Sequence, residues 1–256
     1  MIIAAFNPKG GVGKTTTAVN VATVLADSGK SVLLVDLEAD LNSSISLGVR
    51  PRDAQRSIVD LILHRGRPSD AVRAVEGIPN LFLITGSPAL ASIDEALRNV
   101  RHPERRLTDV LTPLDRQFDM IIMDSPAGFG VMGLSVPLAA KHLLVPIRAE
   151  YLGLESLAQL LRWYRDRQAA RRATANLAGI LLTVVDYRRP ATREIVEIIR
   201  THNRHGVLRT EIPLDPRVAE APSHGVPVVR YTRSRAADAY VRLAEELRQR
   251  LARRPR

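Results

Sequence analysis

Apolar residues fall along this chain in two alternating textures: short runs of β-branched and aliphatic side chains, and longer stretches where they recur at i, i+3, i+4 and i+7. The first texture predicts strands at Ile2–Phe6, Ser31–Asp36, Leu81–Thr85, Met120–Asp124, His142–Ile147, Leu177–Val184 and Val207–Glu211. The second predicts helices at Thr15–Ser28, Ser57–Leu63, Ala89–Asn99, Leu107–Leu114, Leu154–Arg172, Ala191–Asn203 and Arg235–Arg253. Such alternation marks βαβ units, and near-continuous apolar strands suit burial on both faces. The expected fold is therefore α/β: a doubly wound, mainly parallel sheet with helices on both faces. Gly29 and Gly206 are placed to terminate helices. With 256 residues and no repeat or low-complexity linker, one domain is expected over 1–256, with 252–256 as a frayed basic tail.

Composition narrows the chemistry. No apolar run approaches the roughly 18 to 20 residues of a membrane span. The opening Met1-Ile2-Ile3-Ala4-Ala5-Phe6 lacks the basic stretch and cleavage site of a secretory leader, so a cytoplasmic location is expected. The absence of cysteine excludes disulfides, thiolate metal sites, iron–sulfur clusters and cysteine nucleophiles. A net charge of +10 attracts nucleic acid or an anionic membrane surface. Only Lys9, Lys14, Lys30 and Lys141 are lysines, so general arginine richness competes with a specific anionic partner as the explanation.

The strongest chemical signal is Gly10-Gly11-Val12-Gly13-Lys14-Thr15-Thr16, which follows an apolar strand and opens a helix. Glycines let backbone N–H groups turn inward around phosphate oxygens, and the helix N-terminus adds its positive end. Lys14 would reach the β- and γ-phosphates and Thr15 would supply an oxygen to magnesium. The pattern starts at Pro8 or Lys9 where the usual phosphate loop has glycine, so it is a deviant form of that loop. A dinucleotide loop wants three glycines at another spacing and has no use for Lys14-Thr15.

A phosphate loop also requires a carboxylate at a neighbouring strand's end to hold magnesium. Asp124 provides it, where Met120-Ile121-Ile122-Met123 gives way to Ser125-Pro126. A further acidic cluster, Asp36, Glu38 and Asp40, follows Val32-Leu33-Leu34-Val35. If the strand stays extended, Asp36 and Glu38 share a face and converge on one site, where they would orient the attacking water. A solvated acidic turn is the plain alternative.

Asn7-Pro8-Lys9-Gly10-Gly11-Val12-Gly13-Lys14-Thr15-Thr16 resembles the deviant loop of ParA-family, Soj-like partition ATPases within the wider ParA/MinD group. Leu33-Leu34-Val35-Asp36-Leu37-Glu38 and Ile121-Ile122-Met123-Asp124-Ser125-Pro126 resemble that family's other two motifs. Pro146-Ile147-Arg148-Ala149-Glu150-Tyr151 and the stretch from Glu220 to Pro227 extend the likeness over nearly the whole chain. The resemblance implies a P-loop ATPase using ATP and Mg2+, in which Lys9 crosses an ATP-sandwich homodimer to the partner's phosphates. It also implies non-specific DNA binding, a nucleoid-associated location and a ParB-like or cargo-adaptor protein that stimulates hydrolysis. The family usually reads Asp-Leu-Asp-Pro-Gln where this chain reads Asp36-Leu37-Glu38-Ala39-Asp40. Its second acid is longer by one methylene and the proline is gone, which bears on hydrolysis rate.

Arginine clusters at 162 to 172, 188 to 193, 200 to 204 and 230 to 235 supply charge for DNA, with Arg193, Arg200, Arg204, Arg230, Arg233 and Arg235 as candidate contacts. Adenine would lie near Pro213–Arg217, with Pro213 and Asp215 as candidates. The competing function is a MinD-like membrane-surface ATPase regulator docked by its basic carboxyl end, with a small-molecule kinase a distant third. Against the first, the amphipathic stretch Tyr240–Leu251 carries only Val, Leu and Ala on its apolar face beyond Tyr240, as a helix packed on its own domain would.

Overall fold

The computed structural model describes residues 1–50, 56–170, 172–203 and 206–252. Strands are β1 (Ile2–Ala5), β2 (Val32–Asp36), β3 (Arg73–Ala74), β4 (Leu81–Ile84), β5 (Met120–Asp124), β6 (His142–Arg148), β7 (Asn176–Val185) and β8 (Val207–Pro213). They form one sheet in the order β3-β4-β2-β5-β1-β6-β7-β8, parallel throughout except for the β3–β4 pair. The order reverses at β1, which places the loop after β1 in the crevice where open parallel sheets bind ligands.

Helices follow in chain order: α1 (Lys14–Asp27), α2 (Asn42–Ser46), α3 (Ile58–Ile62), α4 (Ile93–Ala96), α5 (Arg106–Leu111), α6 (Val131–Ala139), α7 (Tyr151–Ala169), α8 (Pro190–His202), α9 (Arg217–Glu220), α10 (Val228–Tyr231) and α11 (Arg235–Ala252). Side chains alternate across the sheet with the two-residue period of a strand. Ile2, Ala4 and Phe6 enter one core with Leu107, Val136, Leu157 and Ile199, while Ile3 and Ala5 enter the other with Val19, Leu25, Tyr240 and Leu243. Hence α1 and α11 cover one face, and α3 and α5 to α8 cover the other.

The predicted strands all form, within two residues at each end. Helix α1 ends as expected at Gly29, which takes the left-handed backbone (φ +85°) that glycine adopts at least cost. Gly206 corrects the parallel expectation: α8 ends at His202, four residues earlier, and Gly206 lies outside the left-handed region. The helix predicted at Ala89–Asn99 divides into a 3-10 turn, Pro88–Ser92, and the single turn α4. The one predicted at Leu107–Leu114 stops at Leu111, ahead of Pro113. Helix α6 escaped the periodicity because Gly133 and Pro137 lie inside it. Its first N–H is held by Asp94 Oδ1 at 3.0 Å. Of the predicted tail at 252–256, Ala252 is instead the last residue of α11, and residues 253–256 lie outside the described part.

Helix α11 is a structural member. Its buried face, Ala236, Ala239, Tyr240, Leu243, Ala244 and Leu247, packs on α1 and β8. The buried Glu246 accepts the backbone N–H of Arg209 at 2.8 Å and of Thr210 at 2.9 Å, clamping the edge strand. Burial pushes this carboxyl up, but the two backbone donors outweigh it and hold its pKa below the usual range. A depressed folded pKa stabilises above the unfolded value and is lost as pH falls through the folded one. Glu246→Gln should therefore cost about 1 to 3 kcal/mol at pH 7 in urea unfolding. The deficit should shrink as pH falls below about 4.5, the ordinary glutamate value.

Candidate functional site

The loop from Asn7 to Gly13 is tied down on three sides. Buried Asn7 donates Nδ2 to the Pro146 carbonyl at 2.8 Å and accepts the Lys9 N–H at 2.9 Å. Pro8 O accepts from Gly128 N at 2.8 Å, joining the loop to the segment after β5. The Thr183 hydroxyl stands 2.9 Å from Val12 O and 3.0 Å from Ile147 O, so the end of β7 braces the loop from below. Thr183 was missed from sequence, where its one signal was a polar residue near the end of an apolar run. Gly11 (φ +70°) and Gly13 (φ +90°) adopt the left-handed backbone that turns successive N–H groups inward. Gly13 precedes α1 and no side chain caps the helix, so its first N–H groups are free for an anion. Gly10, Val12 and Thr16 lie along the same turn.

Lys14 is buried, and its ammonium donates to the Lys9 carbonyl at 3.2 Å and sits 3.9 Å from Glu38 Oε1. Burial lowers its pKa, while Glu38 and Asp124 pull it back up. Asp124 is wholly buried at the end of β5, with Oδ2 accepting from Ser43 Oγ at 2.9 Å and Oδ1 without a hydrogen bond. Burial, and then the charge of Asp36, push its pKa up to about 8, while the Thr15 and Ser43 hydroxyls work the other way.

Asp36 stands beside Asp124, its register neighbour on the adjacent parallel strand. The extended strand that would put Asp36 and Glu38 on one face ends at Asp36, yet the two stay close enough for the charge of Asp36 to add to the rise that burial causes in the Glu38 pKa. Strand β2 ends at Asp36, whose Oδ1 accepts the Glu38 N–H (3.1 Å) and whose Oδ2 accepts Ser44 N–H (3.0 Å) and Oγ (2.7 Å). Asp36 thus shapes the loop, and Glu38 alone extends to Lys14. Burial raises the Glu38 pKa and Lys14 opposes the rise. Asp40 is exposed, and its charge adds to the rise at Glu38. Lys9 points elsewhere, its Nζ lying 3.6 Å from Glu150 Oε1. Both sides of the mouth hold non-glycine residues in the left-handed region, Leu41 (φ 53°) and Val184 (φ 54°), an arrangement that stores strain at functional sites.

The adenine candidates separate. Pro213 lines an open cleft of about 630 Å³ at the edge of the sheet. The Asp215 carboxylate accepts the N–H groups of Arg217 (3.1 Å) and Ala236 (3.4 Å), joining the segment after β8 to the start of α11. The arginines divide as well. Arg200 is committed to Glu211 (2.6 Å) and the Leu208 carbonyl (3.2 Å), and Arg230 to Asp27 and the Gly77 carbonyl. Both also serve as structural clamps, each joining a carboxylate and a backbone carbonyl across the fold. Arg193 gives Nε to Tyr187 O and is otherwise exposed; Arg233 and Arg235 are exposed and have no partner among the described residues. Arg204 lies outside the described residues.

A family model described as an AAA domain matches residues 1–176. The sporulation initiation inhibitor protein Soj of Bacillus subtilis is 36% identical over 247 residues, covering 96% of this chain and 97% of that protein. The chromosome-partitioning ATPase Soj of Thermus thermophilus is 36% identical over 246 residues, covering 96% and 94%. Among solved structures, cobyrinic acid a,c-diamide synthase from Mycobacterium smegmatis, with a bound ATP analogue and magnesium, superposes over 98% of this chain and 96% of that one. Its TM-score is 0.83 and its identity 28%. The residues present here suit both groups: the buried, unpartnered Asp124 Oδ1 near the Thr15 hydroxyl fits a magnesium shell, and the uncapped start of α1 with Lys14 fits phosphates. Lys14→Ala should lower ATP affinity by at least 100-fold in calorimetry, because among the described residues no other cation is buried beside the loop. Retained affinity would place the nucleotide elsewhere.

Proposed function

Because the chain belongs to the Soj/ParA family of chromosome-partitioning ATPases, and is an ATPase that uses ATP and magnesium, we propose that it is a switch that dimerises on ATP, binds DNA without regard to sequence, and positions a cargo. In this reading Lys14 and the loop amides bind the phosphates, and Thr15 and Asp124 hold the magnesium shell. Bound magnesium neutralises charge developing on the transferred phosphoryl group. Glu38 orients the attacking water, since its carboxylate is the one at the mouth not consumed by the loop, and Asp36 fixes the backbone that carries it. Positioning and charge stabilisation suffice for transfer to water, so no covalent intermediate on the protein is needed.

One observation carries the dimer: the surface beside Lys9 is apolar and exposed. Phe129 is 45% exposed, Tyr151 64% and Leu152 60%, and Phe129, Leu152 and Trp163 line a shallow cavity with Lys9. A second copy closing over the mouth would cover these side chains. It would also draw Lys9 off Glu150 onto the partner's phosphates. The membrane-surface alternative is less favoured, because the apolar face of α11 is already buried against α1 and β8.

DNA is assigned to the free arginines. Arg193 and Arg235 line the edge cleft with Arg188 and Arg242, and Arg233 lies two residues before Arg235. Three or four phosphate contacts hold a monomer weakly at physiological salt, whereas a rigid dimer doubles them. Hydrolysis then releases DNA and returns the nucleoid-associated protein to the cytoplasm, with a ParB-like or cargo-adaptor protein setting the rate.

Lys9→Ala should keep ATP affinity within about threefold yet abolish ATP-dependent dimerisation in light scattering. Glu38→Ala should keep ATP and the dimer while lowering turnover by on the order of 100-fold. A Lys9→Ala variant that still dimerises on ATP would refute the crossing role. In a separate test, charge reversal at Arg193, Arg233 or Arg235 should weaken DNA binding, leave ATP binding intact and flatten the logarithmic salt slope by about one unit per lost contact. Charge reversal at Arg200 or Arg230 should instead lower the melting temperature. Equal DNA affinity with ADP and ATP would overturn the switch.

A further inference from the structure

Two consecutive serines of α2 each hold one of the two strand-end carboxylates, and they hold them unequally. Asp36 is saturated, with the Ser44 N–H and hydroxyl on Oδ2 and the Glu38 N–H on Oδ1. Asp124 is held more weakly, with the Thr15 hydroxyl near enough to favour its charge but making no hydrogen bond to Oδ1. Ser43 Oγ donates to its Oδ2 at 2.9 Å, and Oδ1 is left buried and without a hydrogen bond. Asp36, Asp124, Ser43 and Ser44 are all fully buried, so water does not even out the difference. A buried carboxylate with one oxygen tied and one empty has a fixed plane and one direction in which it still lacks a partner.

We infer that Ser43 is the positioning residue of the magnesium site: by holding Oδ2 of Asp124 it reserves Oδ1 for the cation's shell. The inference rests on the reading of Asp124 given above and extends it to a residue of the acidic loop. Ser43 lies five residues after Glu38 in one continuous segment, so its hydrogen bond also registers the water-orienting acid to the metal carboxylate. Helix α2 is too short to fix its own position by helical hydrogen bonding. It is entered through the left-handed Leu41, and its exit is seated where a Cβ on Gly225 would come within 2.9 Å of Gly48 Cα. The serine hydrogen bonds are therefore a large part of what places this segment over the site. Ser44 serves Asp36 and the loop, whereas Ser43 serves the cation.

The test is a magnesium titration of fluorescent ATP-analogue binding to the full chain, repeated in EDTA, for Ser43→Ala, Ser43→Thr, Ser44→Ala and Asp124→Asn. Ser43→Ala should raise the magnesium concentration at half-saturation about tenfold, the usual effect of removing a partner that orients a metal ligand, and leave affinity in EDTA unchanged. Ser43→Thr should restore most of it, since the hydroxyl is kept. Ser44→Ala should leave the magnesium midpoint where it was. A loss of affinity that is equal with magnesium and with EDTA marks a merely structural serine and overturns the inference. So does an unchanged midpoint in Ser43→Ala while Asp124→Asn loses magnesium dependence. Magnesium dependence that survives Asp124→Asn would instead refute the reading of Asp124 and take the inference with it.

Discussion

Strands β2 and β5 run parallel and end at the same level, and their last residues are Asp36 and Asp124, both removed from solvent. Two carboxylates in that position oppose each other's ionisation unless donors or cations lie close. Much of the surrounding structure answers that constraint. Ser44 and the Glu38 amide satisfy Asp36, while Ser43 and Thr15 partly satisfy Asp124. Burial lowers the pKa of the Lys14 ammonium, and Glu38 and Asp124 oppose that shift. Such a site is polarised before any ligand arrives, with helix amides and ammonium on one side and an under-coordinated carboxylate on the other.

The same logic sorts the arginines. A chain with net charge +10 invites a reading in which every basic cluster is a binding surface, yet many guanidinium groups here hold the fold together. Arg200 grips Glu211 and the β8 backbone, Arg230 joins the end of α1 to the turn at Gly77, and Arg250 ties α11 to the Ala178 and Val207 carbonyls. Each places a planar, multidentate donor where the backbone needs one. Those left exposed at the sheet edge, Arg193, Arg233 and Arg235, are a smaller and more specific set than the clusters suggest.

Much of the fold was legible because its determinants are local. Buried parallel strands read as apolar runs, and the phosphate loop reads directly because its glycines and lysine act through the backbone they sit on. Elements that depend on distant partners were not legible. Strand β3 has two residues and exists through its pairing with β4. Helix α6 contains Gly133 and Pro137 and is fixed by a cap from Asp94, while α2 is a single turn held by the carboxylates beneath it.

The sequence by itself determined the order of the seven longer strands, the phosphate loop with Lys14 and Thr15, and the presence of acids at two strand ends. These follow from side-chain periodicity and from residues adjacent in the chain. Only the tertiary structure decided which acid is consumed and which remains available, and which arginines are clamps and which are free. A charged group's role is set by whatever donor or acceptor stands within about 3 Å of it. For Asp124 that neighbour is Ser43, 81 residues away, and for Arg230 it is Asp27, 203 residues away.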